Sequence, residues 1–214
     1  MNLRTALGVA ASDLYHQSWR LVVLNLLLGA VLVGVVLASL AVRPALVLVL
    51  LLGPAAAGVM HCAVMLAQTE ELRLSEAIVG LRRHWRRGLA LGASVAAAAT
   101  LGAIAVPFYA NAGSWAWPLA ALSLYLLLMF ALFELALWPL AVFEAARPFR
   151  EVVRDALDLV GRRPLGFLGL ALALLLVNAI GVAAAVLPFL TLTIAYSFLA
   201  SAHFALPKNP DREV

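Results

Sequence analysis

Residues 21–42 read LVVLNLLLGAVLVGVVLASLAV, an apolar run in which only Asn25 and Ser39 are polar. A bilayer core about 30 Å thick is crossed by about 20 helical residues, so this run is long enough to span it. Because lipid offers no partners for backbone hydrogen bonds, a chain segment that crosses it alone must be helical. We therefore predict a transmembrane α-helix over 21–42.

Five further runs are long and apolar enough to cross a bilayer. They lie at 44–67, 88–110, 118–142, 165–187 and 189–206. Only Pro188 separates the last two, so 165–206 is either a tight hairpin or a span with a re-entrant turn, and the hairpin is favoured. We predict an all-α, polytopic membrane domain over 1–206, with about six spans in three hairpins, and a short cytoplasmic tail at 207–214.

The composition excludes most other classes of protein. The chain has 214 residues, of which 65% are apolar and 12% charged, and its mean hydropathy is +1.03. An ordinary soluble domain is about 45–50% apolar and about 25% charged. Soluble, disordered, fibrous and disulfide-stabilised classes are therefore excluded, the last also because Cys62 is the single cysteine.

The basic residues indicate the orientation. All 15 Lys and Arg residues except Arg43 lie in 1–20, 68–87, 144–164 and 207–214. By the positive-inside rule these segments face the cytoplasm, so both termini are predicted there, in a bacterial inner membrane. The net charge of +4 therefore indicates contact with a membrane surface, and no nucleic-acid partner is expected.

An amphipathic segment precedes each predicted hairpin, at about 3–20, 74–87 and 148–164. Apolar residues recur there at helical spacing, as in helices that lie in the membrane interface. Two of these segments carry the arginines of a candidate docking patch: Arg82, Arg83, Arg86, Arg87, Arg162 and Arg163. This patch either docks to anionic lipid or a cytoplasmic protein subunit, or only sets the topology.

The search for catalytic motifs is negative. The sequence has no His-Glu-x-x-His, no Gly-x-Ser-x-Gly and no P-loop, and Lys208 is its only lysine. We therefore expect a non-enzymatic protein without a cofactor or a metal ion.

Glu134 is the one acidic residue inside a predicted span. A charge at this depth is costly, so the carboxyl group is protonated, paired or hydrated. The candidate partners of Glu134 at similar depth are His61, Asn25 and His203. Three hypotheses follow: a cytoplasm-open cavity where Glu134 and His61 bind a solute or relay a proton, a structural hydrogen-bonded clasp between helices, or a protonated acid that faces lipid.

Small residues recur every four positions in two spans. They are Ala30, Gly34 and Ala38 in the first span, and Gly88, Gly92, Ala96 and Thr100 in the third. This spacing lets helices pack closely, and packing within one chain is favoured over homodimerisation, although the oligomeric state stays open.

Three positions are predicted to kink or break helices. These are Gly53-Pro54 in the second span, Pro139 in the fourth, and Pro188 between the last two.

Two stretches resemble a known family. Residues 52–58 (LGPAAAG) and 77–89 (AIVGLRRHWRRGL) are similar to motifs of the YesL-like bacterial membrane proteins. That family has no established activity, so the resemblance implies no catalytic residues. Its members accompany carbohydrate uptake systems, which implies an accessory role in solute import.

These observations lead to two expected functions. The first is an accessory component of solute transport, with carbohydrate as one candidate solute, or a small permease. The alternative is a structural or assembly protein that docks cytoplasmic partners or anionic lipid through its basic helices.

Overall fold

The structure, a computed structural model, describes residues 2–41, 49–69, 72–183 and 192–207. These residues are almost all helical and include no β-strand, which confirms the all-α prediction for this part of the chain. The helices are α1 (Leu3–His16), α2 (Ser18–Ala41), α3 (Leu52–Thr69), α4 (Ser75–Asn111), α5 (Trp117–Phe143), α6 (Phe149–Arg162), α7 (Pro164–Ala183) and α8 (Ile194–Ala205), with a 3-10 turn at Ser114–Ala116.

Five of these helices, α2, α3, α4, α5 and α7, are long and apolar enough to cross a membrane. Much of their surface is unburied, since only 11% of the apolar stretch of α4 lies inside the molecule. On that helix Leu101, Ile104 and Phe108 are exposed by 68%, 63% and 65%. Such continuous apolar surface is unfavourable in water, so the fold supports a membrane protein.

The sixth predicted span corresponds to α8, which has 12 residues. At 1.5 Å per residue α8 is about 18 Å long, shorter than a bilayer core of about 30 Å. Most of α8 is buried, and it contacts α1, α3 and α5. Residues 184–191, and with them the predicted turn at Pro188, lie outside the described residues, so the six-span arrangement stays a prediction.

The second amphipathic segment is not a separate helix, so here the structure differs from the prediction of an interfacial helix before each hairpin. It continues into the third span as the 37-residue helix α4. The helix does not stop at Arg87-Gly88. Gly88 is instead buried against α3, with Pro54 and Ala57 as its neighbours. A glycine in such a close contact does not need to end a helix.

The helix α3 lies at the centre of the molecule and contacts α2, α4, α5 and α8. Its closest partner is α4, where glycines on both helices allow the backbones to approach. A Cβ atom added to Gly88 would lie 2.8 Å from Pro54 Cα, and one added to Gly92 would lie 2.7 Å from Gly53 Cα. Packing within the chain is thus confirmed for Gly88 and Gly92.

Two of the three residues of the other small-residue stripe are not packed against the described part of the chain. Ala30 and Gly34 are exposed on α2, and a Cβ atom at Gly34 would meet nothing within 4 Å. The same spacing therefore serves close packing on α4 and leaves α2 with an open face.

The amphipathic helices α1 and α6 pack against the bundle with one face. On α1, Ala6 and Ala10 are fully buried, and α8 is the main neighbour. On α6, Val152 and Ala156 are fully buried beside α5. Each of these two helices therefore packs one face against the bundle and exposes polar residues on its other face.

Two predicted helix breaks differ from the structure. Gly53 and Pro54 lie in the first turn of α3, where proline is tolerated because the first amide groups of a helix have no partner. The prediction at Pro139 was a kink or a break, and α5 continues through this residue to Phe143, so the helix is not broken there. Prolines in membrane helices are often accommodated because neighbouring groups compensate for the missing hydrogen bond.

Candidate functional site

The structure places the four members of the predicted polar cluster in separate surroundings. None of Glu134, His61, Asn25 and His203 is hydrogen-bonded to another of them within the described residues. The expected shared site of Glu134 and His61 is thus replaced by separate contacts, because side-chain direction depends on the rotation of each helix about its axis.

Glu134 is buried on α5 and contacts α4. The Ser94 hydroxyl donates a hydrogen bond to Glu134 Oε1 at 3.0 Å and also lies 2.7 Å from the carbonyl oxygen of Leu91. Glu134 Oε2 is buried and has no hydrogen-bond partner among the described residues. One carboxyl oxygen is therefore left for a further interaction.

A cavity of about 400 Å³ adjoins this carboxyl group. Residues of α3, α4, α5 and α8 line it: Met60, Val95, Ala98, Ala99, Leu127, Phe130, Ala131, Glu134, Leu135, Trp138, Ser197, Phe198 and Ser201. The two serine hydroxyls donate to backbone carbonyls of their own helix, those of Thr193 and Phe198. Among the described residues that line the cavity, which are largely apolar, Glu134 is consequently the only ionisable one.

His61 belongs to a second polar contact, between α3 and α4. Its Nδ1 atom lies 3.3 Å from His84 Nε2, and its Nε2 atom lies 3.6 Å from Glu76 Oε2. Gly80 makes room for this pair, because an added Cβ atom would lie 2.6 Å from His61 Cβ. His84 Nδ1 is buried without a partner among the described residues.

His203 and Asn25 lie in two further places. His203 Nε2 on α8 lies 2.8 Å from Asp13 Oδ2 on α1, so this contact ties the two helices together. Asn25 is fully buried, and neither its side-chain nitrogen nor its oxygen has a hydrogen-bond partner in the described ranges.

The predicted docking patch separates into outward and inward arginines. Arg82, Arg83 and Arg86 are exposed, and the Arg86 guanidinium lies 5.4 Å from the ring centroid of the exposed Trp85. Arg87 instead turns inward and donates hydrogen bonds to the carbonyl oxygens of Ala141, Glu144 and Arg147. Arg87 therefore connects α4 to the end of α5.

Two of the arginines in and beside α6, Arg147 and Arg162, have acidic partners. Arg147 contacts Glu144, Glu151 and Asp155, and its hydrogen bond to Asp155 raises the pKa of the guanidinium above the ordinary value. Arg162 is exposed and lies 3.4 Å from Asp158. Arg163 is exposed as well. The positive charge of this segment is thus partly neutralised, in contrast to that of Arg82, Arg83 and Arg86.

Several contacts join the basic segments at one end of the molecule. Arg20 donates to the carbonyl oxygen of Leu72 at 2.6 Å, and Gln68 donates to that of Pro207 at 3.3 Å. With the Arg87 contacts, they bring residues from all four basic segments to the same end of the helix bundle.

Sequence reasoning missed the partners Ser94, His84 and Asp13. A serine in a span carries no signal of its own, and His84 was seen only as part of the basic run. Among the described residues no group of three or more His, Cys, Asp or Glu side chains is arranged to hold a metal ion.

Comparison of the chain with protein families, with curated proteins and with solved structures finds no match.

Proposed function

We propose that this chain is a non-enzymatic, multi-pass membrane protein that binds a solute beside Glu134, as a small permease or as an accessory component of a transport system. The observation that carries this proposal is the cavity of about 400 Å³ next to a buried carboxyl oxygen without a partner. Cavities that bind small molecules are typically about 300–1,000 Å³ and combine an apolar lining with few polar groups.

The proposal includes the topology expected from the sequence. Both termini and the basic ends of the helices face the cytoplasm of a bacterial cell, and α7 and α8 form the third hairpin. The contacts that join the basic segments at one end of the bundle support this orientation. Membership of the YesL-like family, which rests on residues 52–58 and 77–89, is part of the same proposal.

The cavity lining narrows the class of solute. A carbohydrate presents many hydroxyl groups, and each loses hydrogen bonds to water unless the site replaces them. The hydroxyls of Ser197 and Ser201 already donate within α8, which leaves Glu134 as the main polar partner. We therefore favour an apolar solute with one polar or charged group over a sugar.

A stability screen tests this function directly. A ligand that binds the folded chain raises its unfolding temperature, so the purified protein is screened in detergent against amines, acids, sugars and neutral apolar compounds. We expect at least one class to stabilise the chain, and Glu134→Gln to remove that effect.

The matched control is Glu151→Gln, which changes an exposed acid on α6 and should leave the stabilisation unchanged. The proposed site would be contradicted if a compound stabilised the original chain and the Glu134→Gln variant equally. It would also be contradicted if no class of compound stabilised the chain.

A second candidate function is assembly through the exposed arginines of α4. Arg82, Arg83 and Arg86 have no acidic partner within 4.0 Å among the described residues, in contrast to Arg147 and Arg162. Replacing the three with Gln should release a co-purifying protein subunit or anionic lipid, while the control Arg147→Gln with Arg162→Gln, which removes arginines that have acidic partners, should not. Labelling from each side of the membrane has to show that topology is unchanged, and retention of the partner would exclude this function.

A further inference from the structure

The cavity beside Glu134 holds a buried carboxyl group that has no basic partner among the described lining residues. No Lys, Arg or His side chain lines it, and Oε2 of Glu134 accepts no hydrogen bond from the described residues. A buried carboxylate is unfavourable unless a cation or hydrogen-bond donors offset the loss of water. The ligand that fits this group best therefore brings a positive charge with it.

Aromatic rings stand on both sides of the carboxyl group. Phe130 and Trp138 lie one turn before and one turn after Glu134 on the same face of α5, because residues four positions apart are neighbours on a helix. Across the cavity, the Phe198 ring of α8 stacks on Trp138, with the centroids 6.3 Å apart and the planes at 27°. Aromatic faces attract cations through their quadrupole, and Trp does so most strongly.

The route into the cavity is apolar. Val95, Ala99 and Ala131 line it and are exposed on the side of the bundle, where lipid would lie. A second cavity of about 340 Å³ shares Ala98, Leu127 and Phe130 with the first and extends it along α4 and α5. A molecule that partitions into the bilayer can therefore reach Glu134 sideways, whereas a strongly hydrated ion would lose its water on the way.

We propose that the cavity binds a lipophilic organic cation, with its ammonium group at Glu134 and its apolar body between Phe130, Trp138 and Phe198. This inference rests on the proposed function and names the class of its solute. A lipid acyl chain is the other apolar occupant, and it makes no use of the carboxyl group.

The test compares two probes of the same shape. Benzyltrimethylammonium carries a charge, and neopentylbenzene replaces its nitrogen by carbon. Equilibrium dialysis against the full-length chain in detergent measures the binding of each. We expect the cation to bind about tenfold or more tightly to the original chain than to the Glu134→Gln variant, as loss of one charge interaction predicts.

Glu134→Asp keeps the charge and should retain part of the affinity, while Glu151→Gln reports any effect of losing an acid elsewhere. Binding of neopentylbenzene should change little in all variants, and it also serves to show that the variants keep a folded cavity. If both probes bind equally and Glu134→Gln changes neither affinity, the cavity takes an apolar occupant and the cation proposal is overturned. If neither probe nor any other solute binds, the proposed function itself fails.

Discussion

Glu134 places a carboxyl group among side chains that are almost all apolar, and the Ser94 hydroxyl donates a hydrogen bond to it from α4. Burying such a group is unfavourable unless its polar atoms are partnered. The contact with Ser94 satisfies one oxygen only, so the structure combines a clasp between α4 and α5 with an oxygen left for a ligand. The clasp and the binding site are thus compatible readings of the same side chain.

The clasp predicts a measurable loss of stability in Ser94→Ala. Removing the donor leaves the Glu134 oxygen without a partner, so we expect the unfolding free energy to fall by about 0.5–2 kcal/mol. Denaturation in a mild detergent, followed by circular dichroism, measures this change. Ser123→Ala is the control, because the Ser123 hydroxyl donates to the Leu119 carbonyl of its own helix and, within the described residues, not to another helix. Equal effects of the two variants would show that the contact between the helices adds nothing.

Helix α4 illustrates how one element can have two environments. Its first turns carry exposed arginines and the His84 contact to α3, whereas its later turns present apolar side chains outward. At 1.5 Å per residue its 37 residues extend about 55 Å, well beyond a bilayer core of about 30 Å. A single helix is therefore long enough to include both a span and the basic segment before it.

The packing of α3 on α4 predicts a large effect of Gly80→Ala. The new Cβ atom would lie 2.6 Å from His61 Cβ, so the helices have to separate, and we expect a loss of about 1–3 kcal/mol in unfolding free energy. Thermal unfolding in detergent measures it.

Gly34→Ala on α2 is the matched substitution, because a Cβ atom there meets nothing within 4 Å. It should be neutral or stabilising by up to about 1 kcal/mol, since alanine favours helix more than glycine does. Destabilisation by Gly34→Ala as large as that by Gly80→Ala would contradict the packing described here.

The whole molecule is a bundle organised around α3, α5 and α8, with the long apolar helices presenting much of their surface outward. Its basic segments meet at one end through contacts such as those of Arg20 and Arg87. If that end faces the cytoplasm, the turn between α4 and α5 at Ser114–Ala116 faces the other side.

This arrangement predicts the sidedness of chemical labelling. In a Cys62→Ala background, a membrane-impermeant maleimide should label Ser114→Cys in intact cells and Ser75→Cys only after permeabilisation. The reason is that the proposed topology, which follows the positive-inside rule, puts the arginine-rich end of α4 inside the cell. The opposite pattern would invert the proposed topology. Labelling of both sites in intact cells would show that α4 does not cross the membrane as a single span.

Prediction of the site from the sequence reached single residues but not their partners. Glu134 was identified because an acid inside an apolar run is exceptional wherever it occurs. His61 was predicted to share a site with Glu134, but in the structure it contacts His84 and Glu76. The prediction used depth along the helices, and depth does not specify which side of a helix a residue occupies.

Composition and spacing were enough to predict three features: the all-helical class, the long apolar runs and the grouping of the arginines in alternate connections. These features depend on the length of each run and on the solvent around it, and not on neighbouring helices. Other features depended on how the helices pack: the continuity of α4 through Gly88, the central position of the short α8, and the pairing of Glu134 with Ser94. Each of these requires a particular rotation and depth of one helix against another. Close contacts between side chains and backbone set that geometry, and no single helix carries it in its own residues.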